Sequence, residues 1–370
     1  MTCPRIEIDL PKIRHNARVL VNLLGERGIS VSGVTKAFLG LPDVAAELLA
    51  AGVSGLADSR IENIQTMRHG SVEAHMTLIR SPMIAQAALV VRSTDTSLNT
   101  EIDVISELSK AAHAMGRTHG VLLMVELGDL REGIMPADLE NAVRRTLRFP
   151  NITLEGIGTN LACRCGVVPD ARNMGELTRL ADAVDATFGL VLPVVSGGNS
   201  SNLDWALGAA DTGRINNLRL GESILLGCEP QHRRPIEGLY TNAITLVAEV
   251  IESNTKPSQP TGGIAEAAFG ATAAPRGSGP VSQAILALGH MDTDPLGLTP
   301  PSGITILGSS SDHLVLNTGR NKLPVGTEMK FQLNYSALIR SMASPFVARR
   351  IRRGLNPQIR PAIEPAKYAA

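Results

Sequence analysis

With 370 residues, 44% of them hydrophobic and 19% charged, the chain has ample apolar surface for a buried core, which excludes disorder as its main state. Its 35 Lys plus Arg cancel its 35 Asp plus Glu, and only 3% of residues are aromatic. The electrostatic footprint and the stacking platform of a nucleic-acid binder are therefore both missing, and no run approaches the roughly 18 apolar residues of a membrane span.

The first residues, Met1-Thr2-Cys3-Pro4-Arg5, lack the basic-then-apolar layout of a secretory signal, so a cytoplasmic protein is expected. Cys3, Cys163, Cys165 and Cys228 are too few and too scattered for a disulfide framework. Cys163-Arg164-Cys165 has no second Cys/His pair at zinc-like spacing, so no metal site is expected.

In chain order, residues 1–9 hold a strand without a barrel partner after it, expected to cross over to a later β domain. From 10 to 228, short β-branched runs alternate with helical periodicity. Residues 31–36 lead into a helix at 42–51, where Pro42 suits the first helical position, Gly52 the cap, and Val44 and Leu48 share a face. Runs at 54–57, 75–79, 88–92, 121–127, 153–159, 191–196 and 215–219 precede helices at 59–69, 82–87, 98–115, 136–148, 170–188, 200–209 and 221–226. About eight strand–helix units over roughly 200 residues predict an α/β fold, a (β/α)8 TIM-type barrel, with a doubly wound open sheet as the alternative. From 229 the texture changes. Residues 240–252 read as strand and 253–280 as an extended loop rich in Gly, Pro, Ser and Thr. Runs at 283–289, 303–308, 313–317 and 329–334 follow at hairpin spacing, predicting a mainly-β C-terminal domain over 229–345. Residues 346–370, with Arg349, Arg350, Arg352 and Arg353, read as a solvated basic tail.

A barrel gathers its functional side chains at the C-terminal ends of its strands. There stand Lys36 after the first barrel strand, Glu126 and Arg131 after the fifth, and Asn160 after the sixth. Ser196-Gly197-Gly198-Asn199-Ser200 follows the seventh and Arg219-Leu220-Gly221-Glu222 the eighth. Gly-Gly-Asn-Ser lets backbone N–H groups approach an anion closely, and Gly221 repeats the device, in the two loops where this fold recurrently holds phosphate. A lysine across the mouth from a phosphate cradle suggests pyridoxal 5'-phosphate held as a Schiff base.

The same residues carry a resemblance. VTKAFLG, LADSRIENI, SLNTEIDVI, MVELGDLREGI, GIGTNLAC, SGGNSSNL and LRLGESILLG, with KPSQPTGG, AFG and GSSSDHLVLN beyond them, resemble the alanine racemase superfamily of fold type III pyridoxal phosphate enzymes. Within it the chain is similar to the ornithine racemase-like branch. The resemblance implies a pyridoxal phosphate-dependent racemase that interconverts L- and D-amino acids, ornithine- or lysine-like or alanine- or serine-like. It also implies a homodimer whose active sites are completed by the partner. By position Lys36 matches the lysine that binds the cofactor, and Ser200, with the N–H groups of Gly221 and Glu222, the phosphate contacts. Arg219 matches the arginine facing the pyridine nitrogen, and Arg131 the one beside the cofactor phenolate and substrate carboxylate. Asn160 replaces a histidine that packs against the ring.

Two departures stand out. Ala37-Phe38-Leu39-Gly40 follows the lysine where alanine racemases have a phosphate-holding tyrosine. Leu288-Gly289-His290-Met291-Asp292 reads where they place the tyrosine base of the opposite face, and where the ornithine racemase-like branch has arginine. His290 is therefore the candidate second base, with Cys163 and Asp312 beside it. His313 is a loop-orienting or substrate-contacting candidate. Asp292 and Asp294 are candidates to receive the distal ammonium of a diamino acid. Two alternatives accompany the racemase: a fold type III decarboxylase or lyase, which would want an acid where Arg219 stands, and a non-catalytic cofactor carrier, usually a barrel alone.

Overall fold

A computed structural model describes residues 3–266, 268–269 and 279–354. The chain divides into two compact units, Arg14–Leu239 on one side and Met1–Ile13 with Tyr240–Ala370 on the other. Strand β1 (Arg5–Asp9) belongs to the second unit. The first unit holds β2 (Ser30–Val34), β3 (Gly55–Asp58), β4 (Met76–Leu78), β5 (Thr96–Asn99), β6 (His119–Met124), β7 (Ile152–Gly158), β8 (Val194–Gly198) and β9 (Asn217–Leu220). These pair in parallel, each with the next, and β2 pairs with β9 to close an eight-stranded barrel. The open-sheet alternative is thereby excluded.

Two apolar residues decide one correction. The run 88–92, read above as the fourth barrel strand, lies in the helix Ala87–Ser93, with Val90 and Val91 buried. The strand is Thr96–Asn99, four buried residues of which three are polar, and the following helix is Ile102–Ala114. Burial here is tolerated because the side chains bond one another: Asn99 Nδ2 donates to Ser97 Oγ (2.9 Å), which lies 2.8 Å from His119 Nε2 on β6. Strand preference is weak against such packing.

Leu98, Leu122 and Met124 plug the barrel interior, with Ile79 and Val194 against them. Towards the N-terminal strand ends the lining turns small and polar. Ser30, Ser32, Thr77, Thr96, Glu155 and Asn217 face a cavity of about 250 Å³.

The second unit is a sheet in the order β12-β15-β10-β11-β14-β13, formed by β10 (Ile244–Pro257), β11 (Pro280–Ala287), β12 (Leu298–Thr299), β13 (Thr305–Ser309), β14 (His313–Asn317) and β15 (Glu328–Leu333). Alternation drives it. In β15, Met329, Phe331 and Leu333 are buried while Glu328, Lys330 and Gln332 are exposed. The loop read over 253–280 begins later than expected, because β10 pairs with β11 as far as Pro257 opposite Pro280. The helix Tyr335–Ala343 replaces a stretch left without structure in the sequence reading. The basic segment is corrected as well: Ala348–Arg352 is a strand, β16, parallel to β1, while β1 also pairs antiparallel with β10. Its arginines reach a buried acid, Glu7, which a solvated tail would leave unpaired. The rest of that segment, 355–370, lies outside the described residues.

Candidate active site

Lys36 is set by a turn that admits little variation. Thr35 Oγ1 donates to Asp58 Oδ2 (2.5 Å), and Lys36–Phe38 form one 3-10 turn with Ala37 and Phe38 buried. The chain leaves through Leu39 and Gly40 in left-handed conformation (φ 56° and 65°). A Cβ on Gly40 would stand 2.4 Å from the Asn63 carbonyl oxygen, so glycine alone closes this turn. Asp58, wholly buried, also accepts from Arg60 N (2.9 Å) and Asn63 Nδ2 (3.0 Å). Burial pushes its carboxyl up against these bonds. Asp58 is a site residue the sequence reading missed, although it lies in the quoted segment LADSR.

Arg219 is 5% exposed on β9. Its Nη1 donates to Ser196 Oγ, and its Nη2 to the Thr159 carbonyl oxygen and to Asn160 Oδ1, both at 2.7 Å. Among the described residues no hydrogen bond runs from its Nε. Burial pulls its pKa down to about 10, which leaves it charged at neutral pH. Ser196, a cofactor-binding candidate, lies against this arginine, and its hydroxyl donates to Asn217 Oδ1 (2.6 Å).

The loops after β8 and β9 converge. Gly198 has φ +143°, and a Cβ there would meet Asn202 Oδ1 at 2.2 Å. Asn199 and Asn202 brace the turn with their side-chain oxygens, Asn199 accepting from Ser201 N (2.9 Å) and Asn202 from Asn199 N (3.0 Å). Ser200 Oγ lies 3.0 Å from Ser223 Oγ and accepts from Ser223 N (3.2 Å), so the two loops share one polar pocket edge. Gly221 precedes the short helix Glu222–Leu226. Burial raises the Glu222 carboxyl, and the charges of Arg233 and Lys36 pull it back, so Lys36 lies within electrostatic reach of this loop.

The loops after β6 and β7 are built on buried acids. Glu126 accepts from Gly128 N (2.6 Å), Leu130 N (3.0 Å) and Arg131 N (3.2 Å). Asp129 accepts from Cys163 N, Arg164 N and Cys165 N at 2.9–3.2 Å. Cys163 is exposed, with Asn199 Nδ2 3.3 Å from its sulfur. The Arg131 guanidinium is gripped by Glu132, which also accepts from Asn160 Nδ2 (2.8 Å). Glu132 was missed too. An acid directly after an arginine has no spacing signal of its own.

His290, Asp292, Asp312 and His313 are gathered in the second unit, on two turns that bond backbone to backbone, His290 N to the Ser310 carbonyl (3.0 Å) and Met291 N to that of Ser311 (3.0 Å). His290 Nε2 lies 2.9 Å from Ser309 Oγ, and its ring stacks on Phe269 at 4.0 Å. Asp312 is exposed and bonds Ser311 Oγ (2.8 Å); His313 is exposed as well. Asp292 differs from the expectation. It is 8% exposed and accepts from Gly289 N (2.9 Å), bracing the turn, and burial raises its carboxyl. Asp294 is similarly engaged, by Leu296 N and Ser336 Oγ.

Known proteins place this architecture. The alanine racemase N-terminal domain family matches residues 8–230. The chain is 36% identical over 352 residues to an ornithine racemase of Acetoanaerobium sticklandii, covering 94% of this chain and 99% of that protein. It is also 36% identical over 353 residues to a lysine racemase of Thermotoga maritima, covering 94% and 98%. Among solved structures it resembles the alanine racemase of Streptomyces lavendulae with a TM-score of 0.72 at 19% identity, over 96% of this chain and 99% of that one. The chain belongs to the alanine racemase family.

Proposed function

We propose that this protein is a pyridoxal 5'-phosphate-dependent amino-acid racemase acting on a diamino acid of the ornithine and lysine type. The observation that carries the reading is the pairing of Lys36, on its closed turn, with a buried arginine at the end of β9, in a chain alike over most of its length to racemases of ornithine and lysine. That breadth of likeness includes the β unit, which argues against a barrel-only carrier.

The donor set suits the cofactor part by part. Lys36 Nζ would meet its aldehyde, the loops at Ser200 and Gly221-Glu222 its phosphate, and the Nε of Arg219 its ring nitrogen. Once bound, it supplies delocalisation of the electron pair left at Cα. The protein does the rest. Lys36 Nζ removes or returns the Cα proton on one face, and the candidates for the second base are His290, Cys163 and Asp312. Arg131 takes the substrate carboxylate. Arg219 can only donate, so it would leave the ring nitrogen of a bound cofactor unprotonated, an arrangement that would disfavour transamination and suit racemisation.

The active unit is a homodimer, as the resemblance implies; sedimentation of a fully active monomer would contradict it. Four free cysteines, two of them exposed, fit the reducing cytoplasm. Among the described residues no helix is long and apolar enough to cross a membrane.

Reduction tests the reading. The loaded protein is expected to be yellow, to bleach with borohydride and to carry the cofactor afterwards on Lys36. A colourless Lys36→Ala that racemises amino acids at the wild-type rate would contradict it.

A further inference from the structure

We infer that Glu132 positions Arg131 and, through Asn160, ties it to Arg219, so that the two guanidiniums of the site are held as one unit; this rests on the cofactor reading above. Glu132 binds the Nε/Nη2 edge of Arg131, with Oε1 2.6 Å from Nη2, and the same Oε1 accepts from Asn160 Nδ2 at 2.8 Å. Asn160 Oδ1 then accepts from Arg219 Nη2 at 2.7 Å. Four side chains from two loops and strand β9 make an unbroken path.

The chemistry of each link leaves one arrangement. A carboxylate only accepts and a guanidinium only donates, so an amide between them must turn its NH2 to Glu132 and its oxygen to Arg219. Glu132 thus sets the orientation of Asn160 as well as that of Arg131. Gripping the Nε/Nη2 edge in bidentate fashion leaves Nη1, which has no hydrogen bond among the described residues, as the group offered to a ligand carboxylate. Charge adds to geometry. Burial lowers the hold of Arg219 on its proton and the charge of Arg131 lowers it further, while the Glu132 carboxylate offsets this. On Arg131 itself, burial is the largest influence, but the bond to Glu132 together with the charges of Cys163, Glu132 and Asp129 outweighs it, and the guanidinium holds its proton more tightly than usual. The backbone of the loop is fixed separately, by Glu126, so Glu132 can be changed without unmaking the turn.

The test compares Glu132→Gln and Glu132→Asp with wild type, first without cofactor. Phenylglyoxal attacks a guanidinium that has lost its proton. Peptide mass spectrometry should show Arg131 modified about tenfold faster in Glu132→Gln, with the exposed Arg164 unchanged and Glu132→Asp near wild type. In the loaded enzyme KM for the amino acid should rise about tenfold to hundredfold in Glu132→Gln, with kcat within about threefold, and Glu132→Asp should recover most of it. Equal Arg131 reactivity in all three proteins, or loss of kcat at unchanged KM, overturns the positioning role. Protected Arg131 in a wild-type protein that takes up no pyridoxal phosphate would support the clamp and defeat the cofactor reading alone.

Discussion

At the scale of single residues, buried polar groups carry most of the account. Arg219 sits at the end of β9 with Ser196, Asn160 and the Thr159 carbonyl around it, and under the proposed function a residue that can only donate would face the ring nitrogen. Replacing it with an acid should protonate that nitrogen and strengthen the electron sink. Arg219→Glu is therefore expected to racemise more slowly and to release a larger share of keto acid by transamination. Unchanged partitioning between the two products would mean that Arg219 does not face the ring. His119 makes a different point, about stability. Burial lowers its pKa from 6.5 to about 4, and its Nδ1 has no partner. A histidine depressed in this way contributes stability in full above pH 6.5 and loses it as the pH falls toward 4, an effect of about 3 kcal/mol. Urea titrations across that window should show the decline, and His119→Gln should flatten it. A wild-type protein equally stable at both ends would refute the assignment.

At the scale of elements, β1 and β16 show how the chain's ends are joined. Glu7 is 4% exposed and meets Arg5 (3.0 Å), Lys330 (3.0 Å), Arg350 (3.3 Å) and Arg352 (2.7 Å). Burial alone would raise its carboxyl; the bonds from Lys330 and Arg5 reverse this and hold it below the usual range. The stability it contributes is thus present above the ordinary carboxylate range and lost as the pH falls through its folded value. Removing it leaves Arg5 buried with fewer partners, while the other three cations stay about half exposed. Glu7→Ala should cost about 3 kcal/mol, the lower end for a broken buried pair, read as a fall in the urea midpoint. A variant as stable as wild type would show that β16 is held by its backbone alone. The crossing of β1 to the β unit was expected from the sequence, but its pairing with β16 and the ion pairs on Glu7 were not. A run of arginines near a terminus looks the same whether it is solvated or pairs with an acid more than 300 residues away in sequence. The fourth barrel strand was hidden for a related reason. Its polar residues are satisfied by long-range bonds, whereas ALVVR carries the stronger local β signal and yet lies on a helix.

At the scale of the molecule, the barrel was readable because its alternation repeats eight times, so one misplaced strand did not alter the count. That the lysine, Arg219 and the two glycine-bearing loops lie at strand ends was readable because each stands beside a motif. Asp58 and Glu132 were not, since each acts by holding another residue, and only the fold brings those partners together. The central claim is racemisation itself. Its most direct test is to incubate the loaded protein with L-ornithine and with L-lysine in D2O and to resolve the products by chiral chromatography and mass spectrometry. The account predicts that at least one of the two approaches an equal mixture of enantiomers, with deuterium at Cα in the D-product. Loss of the L-form to an amine or a cleaved fragment without D-product, or neither reaction nor exchange with either substrate, would contradict it.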